Sequence, residues 1–60
     1  METVVEILMR RDGLTRSDAN ELVAETRDLI IKRPYEACEI IADQLSLEPD
    51  YLMEIVNFEG

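Results

Sequence analysis

The chain has 60 residues, with fourteen acids, six bases and no histidine, so its formal net charge at pH 7 is -8. That length supports one domain, 1–60, and folding at this size buries only roughly 60% of the surface that the unfolded chain exposes. Hydrophobic residues make up 47% of the sequence, too much for simple disorder, while no apolar run reaches the roughly 18–20 residues of a membrane span and no basic-plus-apolar signal segment is present. The single cysteine allows no internal disulfide, in keeping with a reducing compartment. These features lead us to expect a soluble cytoplasmic protein without membrane attachment.

Four short helices are legible in chain order. The first is expected over 2–11, where Val4, Val5 and Leu8 recur at helical spacing. Thr3 followed by Glu6 fits a capping box, Glu6 and Arg10 form an i,i+4 pair in the favourable order, and Arg10 and Arg11 suit the negative end of the helix dipole. Gly13 supplies the positive φ of a C-terminal cap.

The second helix, over 16–32, is the clearest. Thr15 serves as N-cap with Asp18 at N3. Ala19, Leu22, Val23, Thr26, Leu29 and Ile30 then form a long amphipathic face, with Ile31 to one side. Pro34 disfavours helical geometry at Arg33 and suits the first position of a third helix over 34–45. Tyr35, Ala37, Cys38, Ile40, Ile41, Ala42 and Leu45 are its apolar positions, and we expect Cys38 to be a small core residue. Glu36, Glu39 and Asp43 occupy the remaining side. Pro49 opens a fourth helix over 49–58, with Asp50 in its first turn, Tyr51, Leu52, Ile55 and Val56 facing inward, and Gly60 ending the chain.

The charge is segregated. Residues 1–16 balance Glu2, Glu6 and Asp12 against Arg10, Arg11 and Arg16, whereas residues 34–60 carry Glu36, Glu39, Asp43, Glu48, Asp50, Glu54 and Glu59 with no base at all. Phosphate contacts need clustered Lys and Arg, so this layout disfavours nucleic acid and anionic membranes. The plain reading of the acids is a solvated face. The functional reading is an acidic ridge (Glu36, Glu39, Asp43, Glu48, Asp50, Glu54) that meets a basic protein surface. Arg10, Arg11 and Arg16 form a basic corner around Asp12-Gly13, which either contacts acids of another molecule or serves dipole compensation plus an Asp12–Arg16 pair.

Chemistry is sparse. No histidine is present, and Cys38 has no basic neighbour in its own helix, so nucleophilic catalysis lacks a base. One cysteine without histidine does not make a zinc site. The EF-hand pattern and Gly-rich phosphate loops are absent, Gly13 and Gly60 being the only glycines. A loose cation on Glu36, Glu39 and Asp43 is the alternative to a solvated ridge. Short helices leave little room for a substrate cavity. We expect no enzyme activity, no cofactor and no resident metal.

The segment 41–52, Ile41-Ala42-Asp43-Gln44-Leu45-Ser46-Leu47-Glu48-Pro49-Asp50-Tyr51-Leu52, resembles the stretch between the last two helices of Cro/repressor-type helix-turn-helix domains. Ser46 stands where that family usually has glycine. In that family this segment packs the domain and an earlier helix reads DNA, and no recognition helix matches here. Asp12-Gly13-Leu14-Thr15, a long helix with Ala19, Leu22 and Val23, and then Leu47 to Leu52 together resemble small uncharacterised helical proteins of bacterial and phage or prophage genomes. That resemblance implies a phage-associated accessory protein and carries no functional residues.

The expected fold is all-α, a compact bundle of four short helices with the second as its backbone. Val5, Leu8, Leu14, Leu22, Val23, Leu29, Ile30, Ile41, Leu45, Leu52 and Ile55 should form the core. Met1, Val4, Ile7, Met9, Ile31, Ile40, Met53, Val56 and Phe58 then remain as an apolar surplus, which points to a homodimer. The expected function is a small acidic non-catalytic interaction protein, an adaptor or inhibitor. The alternative is a DNA-binding regulator derived from a helix-turn-helix domain.

Overall fold

Thr3 starts the first helix by exchanging bonds across its first turn. The computed structural model describes residues 2–58. In it the Thr3 hydroxyl accepts from the Glu6 N–H at 3.2 Å, and the Thr3 N–H donates to the Glu6 carboxylate at 2.9 Å, a complete capping box. Thr3 itself is extended, so α1 spans Val4–Asp12 and begins two residues later than the spacing suggested. Gly13 ends it at φ 68°, a left-handed conformation that costs glycine little. Thr15 then caps α2, Arg16–Lys32, by accepting from the Asp18 N–H at 3.1 Å. This helix has the bounds expected.

Arg33 leaves helical geometry ahead of Pro34, and Pro34–Glu36 forms a 3-10 turn that leads into α3, Ala37–Leu45. The expected third helix is therefore a tight turn followed by a regular one, because Pro34 lacks the N–H that would continue the preceding ladder. Ser46 closes α3 at φ 54°. A second 3-10 turn, Pro49–Tyr51, precedes the short α4, Leu52–Val56. Among the described residues no strand occurs. Met1 and Gly60, assigned to the first stripe and the chain end, lie outside the described residues.

Helix α2 is the backbone on which α1, α3 and α4 pack. Its buried line is Ala19, Val23, Thr26 and Ile30. The Thr26 hydroxyl is fully buried and donates to the Leu22 carbonyl one turn back at 2.8 Å, so it needs no tertiary partner. Val4, Val5, Leu8, Ile41, Leu45 and Ile55 complete the centre, with Ile7 and Ala37 at its edge. Leu14, Leu22 and Leu52, expected inside, pack partly buried against that cluster, and Leu29 is also half-buried. The Cα radius of gyration is 10.4 Å, as for a compact chain of this length.

Three charged side chains tie helix ends to other elements. The Val4 N–H, at the start of α1, donates to the Glu54 carboxylate of α4. The Arg11 guanidinium of α1 donates to the carbonyls of Leu45 at 2.7 Å and Ser46 at 3.2 Å, at the end of α3. Arg27 of α2 donates to the Val56 carbonyl at 3.1 Å, at the end of α4. Each charge has the sign that suits the helix end it meets, an anion on N–H groups and cations on C=O groups that have no partner within the helix.

Candidate functional site

The acidic ridge divides where the chain turns at Ser46. Glu36, Glu39 and Asp43 stay together along one wall of a 340 Å³ groove between the second half of α2 and α3, with Leu29, Ile40, Arg33 and Gln44. Glu39 and Asp43 are exposed and Glu36 is half-buried. The nearest cation is Arg33, whose guanidinium is 3.8 Å from the Glu36 carboxylate. At that distance and with the Arg33 side chain 63% exposed, the pair adds little. The groove therefore presents carboxylates beside two apolar side chains.

Asp50 and Glu54 lie elsewhere, on a 410 Å³ concavity with Glu2, Ile7 and Tyr51. Glu54 is already engaged at the start of α1. Glu48 is exposed and precedes the second 3-10 turn, lining neither depression. The left-handed Ser46 and the irregular 46–48 connection redirect the chain. A periodic reading that runs through this connection joins residues that the fold separates.

The three arginines of the basic corner have different surroundings. Arg10 grips Glu2 with two hydrogen bonds of 2.7 and 2.8 Å. It does not use Glu6, which is folded back onto Thr3. Arg11 pairs with Asp12 at 2.9 Å while holding the end of α3. Asp12 is thus satisfied by its neighbour, and the expected Asp12–Arg16 pair, which would span the Gly13 break, does not form. Arg16 lines a 510 Å³ depression with Thr3, Val5, Asn20, Glu54, Asn57 and Phe58.

These contacts set the local electrostatics. The Arg10 hydrogen bond holds the Glu2 carboxyl below its usual range, and the Arg11 hydrogen bond does the same to Asp12. Glu6 is lowered first by the Thr3 backbone N–H and then by the Thr3 hydroxyl. All three sit around α1, away from the α3 carboxylates.

Cys38 is exposed, contrary to the core position expected for it. The buried line of α3 is Ala37, Ile41 and Leu45, one residue out of step with Cys38 and hence about 100° away around the helix. Tyr35, another apolar position of the expected third helix, lies on the preceding 3-10 turn and is 84% exposed. Nearly every position of that helix is apolar or acidic, so several rotations satisfy the pattern, and the choice falls to how α3 meets α2. The tertiary roles of Arg11, Arg27 and Glu54 also escape sequence reading, since their partners lie 29 to 50 residues away.

Among the described residues, no three Cys, Asp or Glu side chains converge as a cation-holding group, and no helix is long and apolar enough to cross a membrane. Compared with known proteins, the chain matches no family model, no curated sequence and no solved structure.

Proposed function

We propose that this chain is a small non-catalytic docking protein, an adaptor or inhibitor, whose α3 carboxylates engage a basic protein surface. The observation that supports this reading is the alignment of Glu36, Glu39 and Asp43 along one groove wall, where the largely exposed Arg33 offsets only Glu36. Carboxylates so grouped accelerate encounter with a cationic partner and make binding salt-dependent. Leu29 and Ile40 in the same groove add apolar contact that survives screening.

Affinity purification from the native organism tests this with two variants. In one, Glu36→Gln, Glu39→Gln and Asp43→Asn remove the α3 charges. In the other, Glu21→Gln and Glu25→Gln remove charge from exposed positions of α2. Loss of captured partners with the first and retention with the second is expected. Partners retained by the first variant would overturn the proposal. The DNA-binding alternative needs free clustered cations, whereas Arg10, Arg11 and Arg27 are engaged within the chain. Titration with duplex DNA at low salt is expected to show no binding.

A further inference from the structure

Asp12 is followed by glycine, and no other aspartate or asparagine in the chain is. The pair sits at the boundary of α1, Asp12 as its last helical residue and Gly13 as its left-handed cap at φ 68°. An aspartyl carboxyl and the backbone nitrogen of the next residue can close a five-membered ring, and glycine leaves that nitrogen least hindered because it has no Cβ. The remaining Asp and Asn residues precede Ala, Glu, Leu, Gln, Tyr or Phe, whose side chains crowd the approach. At Gly13 nothing lies within 4 Å of the place where a Cβ would stand, and both residues of the pair are exposed.

Two features of the fold keep the reacting atoms apart. Ring closure needs the Gly13 nitrogen eclipsed with the Asp12 Cβ, a turn of ψ by roughly 80° from the helical value of about −42°. Asp12 belongs to α1, so the last turn of that helix must open first. The Arg11 guanidinium also grips both Asp12 oxygens, Nε donating to Oδ1 at 3.0 Å and Nη2 to Oδ2 at 2.9 Å. This fork fixes the carboxylate and holds the carboxyl below its usual range, whereas water leaves readily only from the protonated acid.

We infer that Asp12-Gly13 is a guarded isomerisation site, at which the Arg11 fork and the last turn of α1 set the rate of rearrangement to isoaspartate. Water is the only other reactant. The Gly13 nitrogen attacks the Asp12 Cγ and an N–Cγ bond forms. The carboxyl loses its hydroxyl and the amide its proton, together one water. The succinimide then takes up one water. Where the bond between the Asp12 backbone carbonyl carbon and the nitrogen breaks, the chain continues through Cγ and the former backbone carbonyl becomes a carboxylate. The product has the same mass and one more main-chain carbon between α1 and the Thr15 cap of α2. It also displaces the carboxylate that Arg11 grips while reaching the Leu45 and Ser46 carbonyls, so a single lesion loosens both the α1–α2 turn and the tie from α1 to α3.

Ageing of the whole chain at pH 7, followed by peptide mapping for isoaspartate, tests this. A synthetic peptide of residues 8–18 gives the unguarded rate. The folded chain is expected to convert at least about fivefold more slowly than the peptide, since local opening must precede ring closure. Arg11→Gln should speed conversion of the folded chain about two- to fivefold, the factor that an exposed ion pair supplies, with little effect on the peptide. Arg11→Lys, which keeps the charge without the fork, should fall between wild type and Arg11→Gln, and serves alone if circular dichroism shows Arg11→Gln unfolded. Arg27→Met weakens the attachment of α4 but leaves the fork intact, so it should not change the rate.

Equal rates in the folded chain and the peptide would overturn the guard. An unchanged rate in both Arg11 variants, or equal acceleration by Arg27→Met, would show that the fork has no part in it and overturn the inference. Isoaspartate absent from position 12 of the peptide, or arising first elsewhere in the chain, would overturn the choice of site.

Discussion

Ser46 occupies a left-handed conformation, φ 54°, that costs a residue with a Cβ roughly 1–2 kcal/mol. Ser46→Gly removes that cost and adds some backbone entropy to the unfolded chain, so a net gain of about 0.5–1 kcal/mol is expected. For so small a domain this raises the melting temperature by on the order of 2–8 °C. Gly13→Ala should do the reverse, although open space surrounds its Cα, because φ 68° is the obstacle and not crowding. Thermal melts of the two variants check both signs. Acid provides a second test. The Glu6 carboxyl is held below its ordinary value near 4.5 by the Thr3 N–H and hydroxyl. Its contribution to stability is complete above that value and disappears as pH falls through the lower folded one. Glu6→Gln should therefore narrow the gap in melting temperature between pH 7 and pH 3 relative to wild type. An unchanged gap would show that the capping box does not carry this dependence.

Helix limits at the scale of elements follow from local chemistry wherever a cap is present. Thr3 with Glu6, Gly13, and Thr15 with Asp18 set the ends of α1 and the start of α2 within one or two residues of the sequence reading. The region after Pro34 is less legible. Both prolines introduce 3-10 turns, and no side chain caps α3 or α4 from within its own turn. That holds for their N-terminal ends; their C-terminal carbonyls are secured from outside, by Arg11 and Arg27. Arg27→Met keeps the apolar stem and removes the charge-assisted bond to Val56. It should cost about 1 kcal/mol, since the Arg27 side chain is 38% exposed. Hydrogen exchange should quicken in α4 before it does in α2, and uniform quickening would argue that α4 has no separate tether.

The whole molecule has a small margin. At roughly 0.05–0.15 kcal/mol per residue, a chain of this size has about 3–9 kcal/mol of total stability. Ile41 is fully buried between α3 and the backbone helix, and Ile41→Ala should cost about 2–5 kcal/mol. Loss of most of the urea-unfolding midpoint, followed by helical circular dichroism, is the expected result. Homodimerisation, proposed from apolar surplus, has a narrower basis once Val4 and Ile7 are placed inside. Met9, Ile40, Val56 and Phe58 pack partly against the core, leaving Ile31 and Met53 as the exposed members of that group among the described residues. Sedimentation velocity at micromolar concentration should still find a dimer, and a well-folded monomer would end the proposal.

Sequence by itself determined the class of this protein and most of its punctuation. Helical periodicity, caps and prolines act over three or four residues, so they can be read without knowing what lies across the core. The amphipathic face of α2 likewise identified Val23, Thr26 and Ile30 as inward. Tertiary structure alone decided the rotation of α3, which put Cys38 outside and Ala37 inside. It also decided which charges are spent: Arg11 and Glu54 became fasteners between distant segments, and the six-residue acidic ridge was reduced to Glu36, Glu39 and Asp43 on one groove. The physical reason is the same in each case. A helix that is apolar on more than one side, or a charge with several partners of opposite sign, has near-equivalent local choices, and only packing against the rest of the chain separates them.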